Sequence, residues 1–233
     1  MSYSPASPAG AVREKTCHIR VGHQTGLNSH AAVRARRSTS APAFRGRGPF
    51  ADAREGRVMD HGRMPVVEAV VVVPVPPDVA FAVSQTTAPL RYRWDPFVRE
   101  QRLLDGAARP GKGVRTFTRS RHGLTMISQY VSYAPPSNVG MKMLRGPWFF
   151  EMFAGGWRFT AAEGTPGHTV ATWRYSFRCR PALLRPVAER LGRRLLGHDI
   201  DRRIRAYARG CTDPVVLAAA RQALEDSTGP ASR

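Results

Sequence analysis

Between residues 98 and 180 the chain carries six consecutive short segments with strand-like alternation. They lie at about 98–105, 113–120, 123–134, 137–145, 148–162 and 168–180, and turn residues separate them: Gly106 to Gly113, Arg121 to Gly123, Pro135 to Asn138, Gly146-Pro147, and Glu163 to Gly167. Strands joined in sequence by short turns pair antiparallel. Such a sheet has one apolar face that something must cover. A β-branched segment, "PVVEAVVVV" (65–73), precedes the six and adds a strand. Between it and them stand a helix start at "PPDVAFAVSQ" (76–85) and a short helix or turn at "YRWDPFV" (92–98).

The covering element follows the last strand. "PALLRPVAERLGRRLLGHDIDRRIRAYARG" (181–210) reads as a long amphipathic helix, with Leu184, Val187, Leu191 and Leu195 on one side and arginines on the other. Pro186 and Gly192 are its expected kink points. The expectation is an α+β helix-grip fold, a curved antiparallel sheet of about seven strands wrapped around a long C-terminal helix, with a hollow between them. That domain spans 64–211, and the tail 212–233 adds a short helix around 214–225.

Residues 1–63 are different in kind. They are rich in Ser, Ala, Gly, Pro and Arg and show no period of 2 or 3.6. Such a segment buries too little surface to offset its chain entropy, so it reads as a disordered basic N-terminal extension. Met59 and Met64 stand just before the first strand, and one of them is the expected true start of translation. Cys17, His18 and His23, with His30 beyond, match no zinc spacing.

Charge and cysteine content bound the function. The chain holds 36 Lys+Arg against 17 Asp+Glu, a net +19, but its only lysines are Lys15, Lys112 and Lys142, and its arginines are scattered. This is a diffuse basic surface before it is a nucleic-acid site, and nucleic acid remains a secondary partner reading. Cys17, Cys179 and Cys211 form no C-x-x-C pair, which fits a reducing, cytoplasmic setting. No apolar run reaches the roughly 20 residues that a membrane span needs. No Gly-rich phosphate loop, metal cluster or nucleophile elbow occurs, and no cofactor is expected.

Four stretches carry a resemblance: "VPVPPDVAFAVSQ", "RYRWDPFVREQRLLDG", "GKGVRTFTRS" and "GGWRFTAAEGTPGHTVATWRYSF". With the order of elements they make residues 65–210 similar to the START-like helix-grip superfamily, also called SRPBCC, and within it to the polyketide cyclase/dehydrase and lipid-transport group. The resemblance implies a deep apolar cavity for a lipid, polyketide, quinone or similar ligand. It implies no particular reaction, because the superfamily mixes cyclases, carriers and binders.

Strand alternation then nominates wall residues. In the last strand Trp173, Tyr175 and Phe177 should face the hollow. In the one before, Phe149, Phe153, Trp157 and Phe159 share a parity with Glu151, the single acid of "GPWFFEMFAGGWRF". Glu151 therefore points inward unless Gly155-Gly156 forms a bulge that shifts the register. The economical reading is an ion pair with a rim arginine. The alternatives are a ligand contact or a catalytic acid/base, with Arg115, Gln129 and Tyr130 as candidate partners. Met141 and Met143, with Val139, form a stripe suited to a bulky apolar ligand or to core packing. Trp94, Phe97, Leu184, Val187 and Leu191 complete the candidate pocket.

Three functions follow in order: binding of a hydrophobic or aromatic small molecule; a polyketide cyclase/dehydratase-type enzyme using Glu151, with Tyr130 orienting an oxygen; and an RNA- or ribosome-associated module, since some relatives in the superfamily act on translation.

Overall fold

The structure, a computed structural model, describes residues 18–20 and 64–228. The expectations for residues 1–63 (a segment without a fold, a later start, no metal site at Cys17, His18 and His23) lie outside the described residues. The exception is the backbone of His18–Arg20, which forms a short strand, β1.

The main strands are β2 (Val66–Val73), β3 (Val98–Leu103), β4 (Arg115–Ser120), β5 (Thr125–Ala134), β6 (Asn138–Arg145), β7 (Phe150–Ala161) and β8 (Thr169–Cys179). They form one antiparallel sheet in the order β1-β2-β8-β7-β6-β5-β4-β3. The curved seven-stranded sheet expected from the sequence is present, and β1 is an eighth strand at its edge. From β3 to β8 every neighbour in sequence is a neighbour in space. Only β2 departs, pairing with β8 from Val66↔Ser176 to Val73↔Thr169. Two helices, α1 (Pro77–Ser84) and α2 (Leu90–Trp94), carry the chain from β2 to β3 at the far edge.

A short 3-10 turn (Ala182–Leu184) leads from β8 into α3 (Arg185–Gly210), the helix that fills the curve of the sheet. Its second half is the buried part. Ile200, Ile204 and Tyr207 are fully enclosed, and they pack with Val67, Val73, Val83 and Trp157 from the sheet and α1. The Tyr207 hydroxyl donates to the Ala80 carbonyl at 2.7 Å and so ties α3 to α1. A last helix, α4 (Pro214–Thr228), lies where the tail pattern placed one. Val216 and Ala220 are buried, and α4 packs on α1.

The strand alternation is clean in β8, where every second residue from Thr169 to Cys179 is buried. In β7 it breaks once. The register shifts between Phe150 and Met152, so that Phe150 pairs with Cys179 and Met152 with Arg178. Glu151 is the extra residue. The bulge lies there and not at Gly155-Gly156, which stay in register with Tyr175 and Arg174. The two glycines serve close approach instead. A Cβ on Gly156 would meet the Val139 carbonyl oxygen at 2.6 Å, and one on Gly155 would meet the Tyr175 ring at 2.8 Å.

Candidate ligand-binding site

A cavity of about 500 Å³ lies between the inner face of the sheet and α3. Its size falls within the range of small-molecule sites, and its walls are mostly apolar. β7 and β8 supply Phe153, Trp157, Trp173 and Tyr175; β5 and β6 supply Tyr130, Met141 and Met143. The inward-facing residues on these strands are the consequence of period-two alternation in a sheet with one covered face. Trp157 and Trp173 stack with ring centroids 4.1 Å apart, which gives the cavity a rigid aromatic floor.

α3 closes the other side through Ala188, Leu191, Gly192, Leu195, Asp199 and Arg203. Gly192 is required by the fit, because a Cβ there would meet the Phe177 ring at 2.7 Å. Leu191 and Leu195 line the cavity yet remain 55% and 62% exposed, so the site opens to solvent along the first half of this helix.

The polar end of the cavity is a charge network. Asp95, fully buried just after α2, receives Arg203 Nε at 3.1 Å and Nη2 at 2.8 Å, and Arg91 Nε at 2.9 Å. Burial alone would push the Asp95 carboxyl up, but the two guanidiniums outweigh it and hold the group at about 2. The same cations keep Asp95 ionised in the interior, as a buried charge requires. Arg203 also donates from Nη1 to the Tyr175 hydroxyl at 2.7 Å. Its guanidinium carbon lies 4.5 Å from the Phe97 ring centroid and 4.4 Å from that of Trp173, two cation–π contacts.

Asp199 is one turn before Arg203 on α3 and 3.7 Å from its Nη1. Burial raises its carboxyl, with Arg203 opposing. Burial likewise pushes the Tyr130 phenol up to about 12. Beside its aromatic body the cavity therefore presents the guanidiniums of Arg91 and Arg203, the carboxyl of Asp199 and the phenols of Tyr130 and Tyr175. Among the described residues no group of His, Cys, Asp and Glu is placed to hold a metal ion.

The structure brings together nine of the pocket residues nominated from the sequence: Phe97, Tyr130, Met141, Met143, Phe153, Trp157, Trp173, Tyr175 and Leu191. It separates the others. Trp94 points into the core beneath α3, where its ring is 5.6 Å from that of Tyr207 and its indole N–H donates to Thr86 Oγ1. Arg115 is on the outer face of β4, paired with Asp105 through two hydrogen bonds. Leu184 and Val187 are 57% and 73% exposed, because α3 turns a different stripe inward. Glu151 is outside the cavity. The bulge at Glu151 turns its carboxylate to solvent, where it meets Arg185 at 2.7 Å and Arg178 at 3.8 Å.

Asp95, Asp199 and Arg203 carry no sequence signal strong enough to nominate them. Arg203 is one arginine among many, and its partner Asp95 stands 108 residues away. The recoverable signal is helical spacing from Ala188 through Gly192, Leu196 and Asp199 to Arg203, a face with both apolar and charged members.

The family model for polyketide cyclase / dehydrase and lipid transport matches residues 64–210. The chain belongs to this family. The domain has the START-like, SRPBCC architecture of the family throughout that span. Solved structures agree on the fold. A protein from Thermus thermophilus is 15% identical with a TM-score of 0.52, covering 66% of this chain and 99% of that one. The XoxI protein from Bacillus cereus is 10% identical with a TM-score of 0.51, covering 64% and 96%. A START superfamily protein from Mycobacterium smegmatis is 12% identical with a TM-score of 0.50, covering 61% and 94%. No curated protein matches the chain. The family supports hydrophobic ligand binding or a cyclase role, and no helix among the described residues is long and apolar enough to cross a membrane.

Proposed function

We propose that this protein binds a largely aromatic, apolar small molecule that carries at least one oxygen function. The observation that carries the reading is the 500 Å³ cavity, with a stacked Trp157–Trp173 floor and Arg203 held at one end by Asp95. An aromatic floor favours flat ligands by offset stacking. Arg203 has its charge balanced by Asp95 and uses three of its five N–H groups on Asp95 and Tyr175, so one N–H on each terminal nitrogen is left to orient an oxygen atom.

The test uses 8-anilinonaphthalene-1-sulfonate as a fluorescent apolar probe on the full chain. One probe per protein should bind saturably. Met141→Trp, which fills the cavity from β6, should weaken that binding at least about tenfold, as lost space cannot be recovered in a packed wall. Equal binding by wild type and Met141→Trp would place the probe on the surface and remove the support.

A second reading, a cyclase or dehydratase, is favoured by Asp199. It is the one acid on the cavity wall among the described residues, its carboxyl is raised, and the Tyr175 phenol shares Arg203 with it. Proton transfer during enolisation needs a group of this kind within reach of the ligand. Asp199 replaces Glu151 as the acid/base of that reading. If turnover of an oxygenated aromatic substrate is found, Asp199→Asn should lower kcat by orders of magnitude and Glu151→Gln should leave it unchanged.

A further inference from the structure

The wall formed by β3, β4 and β5 differs from the aromatic floor. Thr116 of β4 is 1% exposed and borders the cavity, and its Oγ1 is the one buried side-chain polar atom without a hydrogen-bond partner among the described residues. In the sheet it stands between Leu103 on β3 and Ser128 on β5. Ser128, with Thr118 and Gln101, lines the cavity on the same inner face.

An unbonded buried hydroxyl carries a desolvation cost that valine, of the same shape, would avoid. No protein group bonds this oxygen, which leaves it to a group that enters the cavity. A group that bonds it only when a ligand is present accounts for its place.

We infer that Thr116, with Ser128 and Thr118 beside it, forms an oxygen-binding subsite that receives a hydroxyl or carbonyl of the bound molecule, separate from the Arg203 end. This rests on the cavity being the ligand site. The ligand class is thereby narrowed to an aromatic body oxygenated on the edge that faces β4. Discrimination of this kind is strong, because an analogue lacking the oxygen leaves the buried hydroxyl unpaired.

Quenching of the cavity tryptophans reports binding of two probes to the full chain, naphthalene and 2-naphthol. Wild type should bind 2-naphthol about five- to tenfold tighter than naphthalene, the yield of one hydrogen bond. Thr116→Val should abolish that preference while binding naphthalene at least as well, and Thr116→Ser should restore it. The melting temperature of Thr116→Val should equal or exceed that of wild type. An unchanged preference in Thr116→Val overturns the subsite, and so does a lowered melting temperature, which would give the hydroxyl a structural role. Failure of both probes to bind wild type overturns the cavity reading itself, and the subsite with it.

Discussion

Asp95 and Arg203 meet in the interior, Oδ1 to Nε at 3.1 Å and Oδ2 to Nη2 at 2.8 Å, joining the end of α2 to the second half of α3. The pair fixes the helix at the height where its first half borders the cavity. Because Arg91 binds the same carboxylate, Asp95 separates two guanidiniums that would otherwise repel each other. Asp95→Asn should therefore cost about 3–5 kcal/mol, the usual penalty for stranding a buried charge. Urea unfolding measures it.

The same pair sets an acid limit. The Asp95 carboxyl lies at about 2 in the fold and near 3.8 when unfolded. A depressed carboxylate contributes stability above its unfolded value and loses it as pH falls through the folded one. About 2 kcal/mol should disappear between pH 4 and pH 2, since each tenfold difference in proton affinity between the two states is worth roughly 1.4 kcal/mol. Unfolding curves across that window should be steeper in wild type than in Asp95→Asn, where Asp105 and Asp213, lowered by Arg115 and Arg93, still contribute.

Asp199 has the opposite sign. Its carboxyl is raised by burial, so the folded chain holds the proton more tightly than the unfolded one. Stability should fall as pH rises from about 4 through its folded value. Asp199→Asn should then melt higher than wild type at pH 7, because the asparagine carries no buried charge. Differential scanning calorimetry at two pH values checks it.

Glu151 is expected to matter little. Its ion pairs with Arg178 and Arg185 are half exposed, and such pairs contribute under about 1 kcal/mol. Glu151→Gln should leave both the melting temperature and probe binding near wild type.

Gly155→Ala should be disruptive out of proportion to one methyl group. The new Cβ would sit 2.8 Å from Tyr175 Cδ1, and the Arg203 hydrogen bond restrains that ring. A loss of about 1–3 kcal/mol is expected, together with weaker probe binding. Thermal melts and the fluorescence titration read both.

What is legible in the sequence divides along physical lines. Strand order, turns and both C-terminal helices can be read because period-two alternation and Gly/Pro punctuation are local signals. The inward set Trp173, Tyr175 and Phe177 follows from β8 having no bulge. Alternation alone misplaces Glu151, because one inserted residue reverses the facing of everything beyond it and "FFEMF" carries no mark of where the insertion falls. On α3 the most hydrophobic stripe, Leu184 to Leu195, suggests itself as the buried one. Its first turns are exposed, and the inward face is mixed, with Asp199 and Arg203 beside Ala188, Gly192 and Leu196. Asp95–Arg203 is a long-range pair, and pairing across a fold leaves no periodic trace in a single chain.

The central claim is that the cavity holds an apolar, oxygenated aromatic molecule. The most direct measurement is native mass spectrometry of the full chain purified from its source cells, followed by solvent extraction of whatever it carries. The account predicts one molecule per chain, flat, mostly apolar and bearing at least one hydroxyl or carbonyl, and released by Met141→Trp. A chain that is well folded, empty, and still empty after exposure to an extract of the same cells would contradict it.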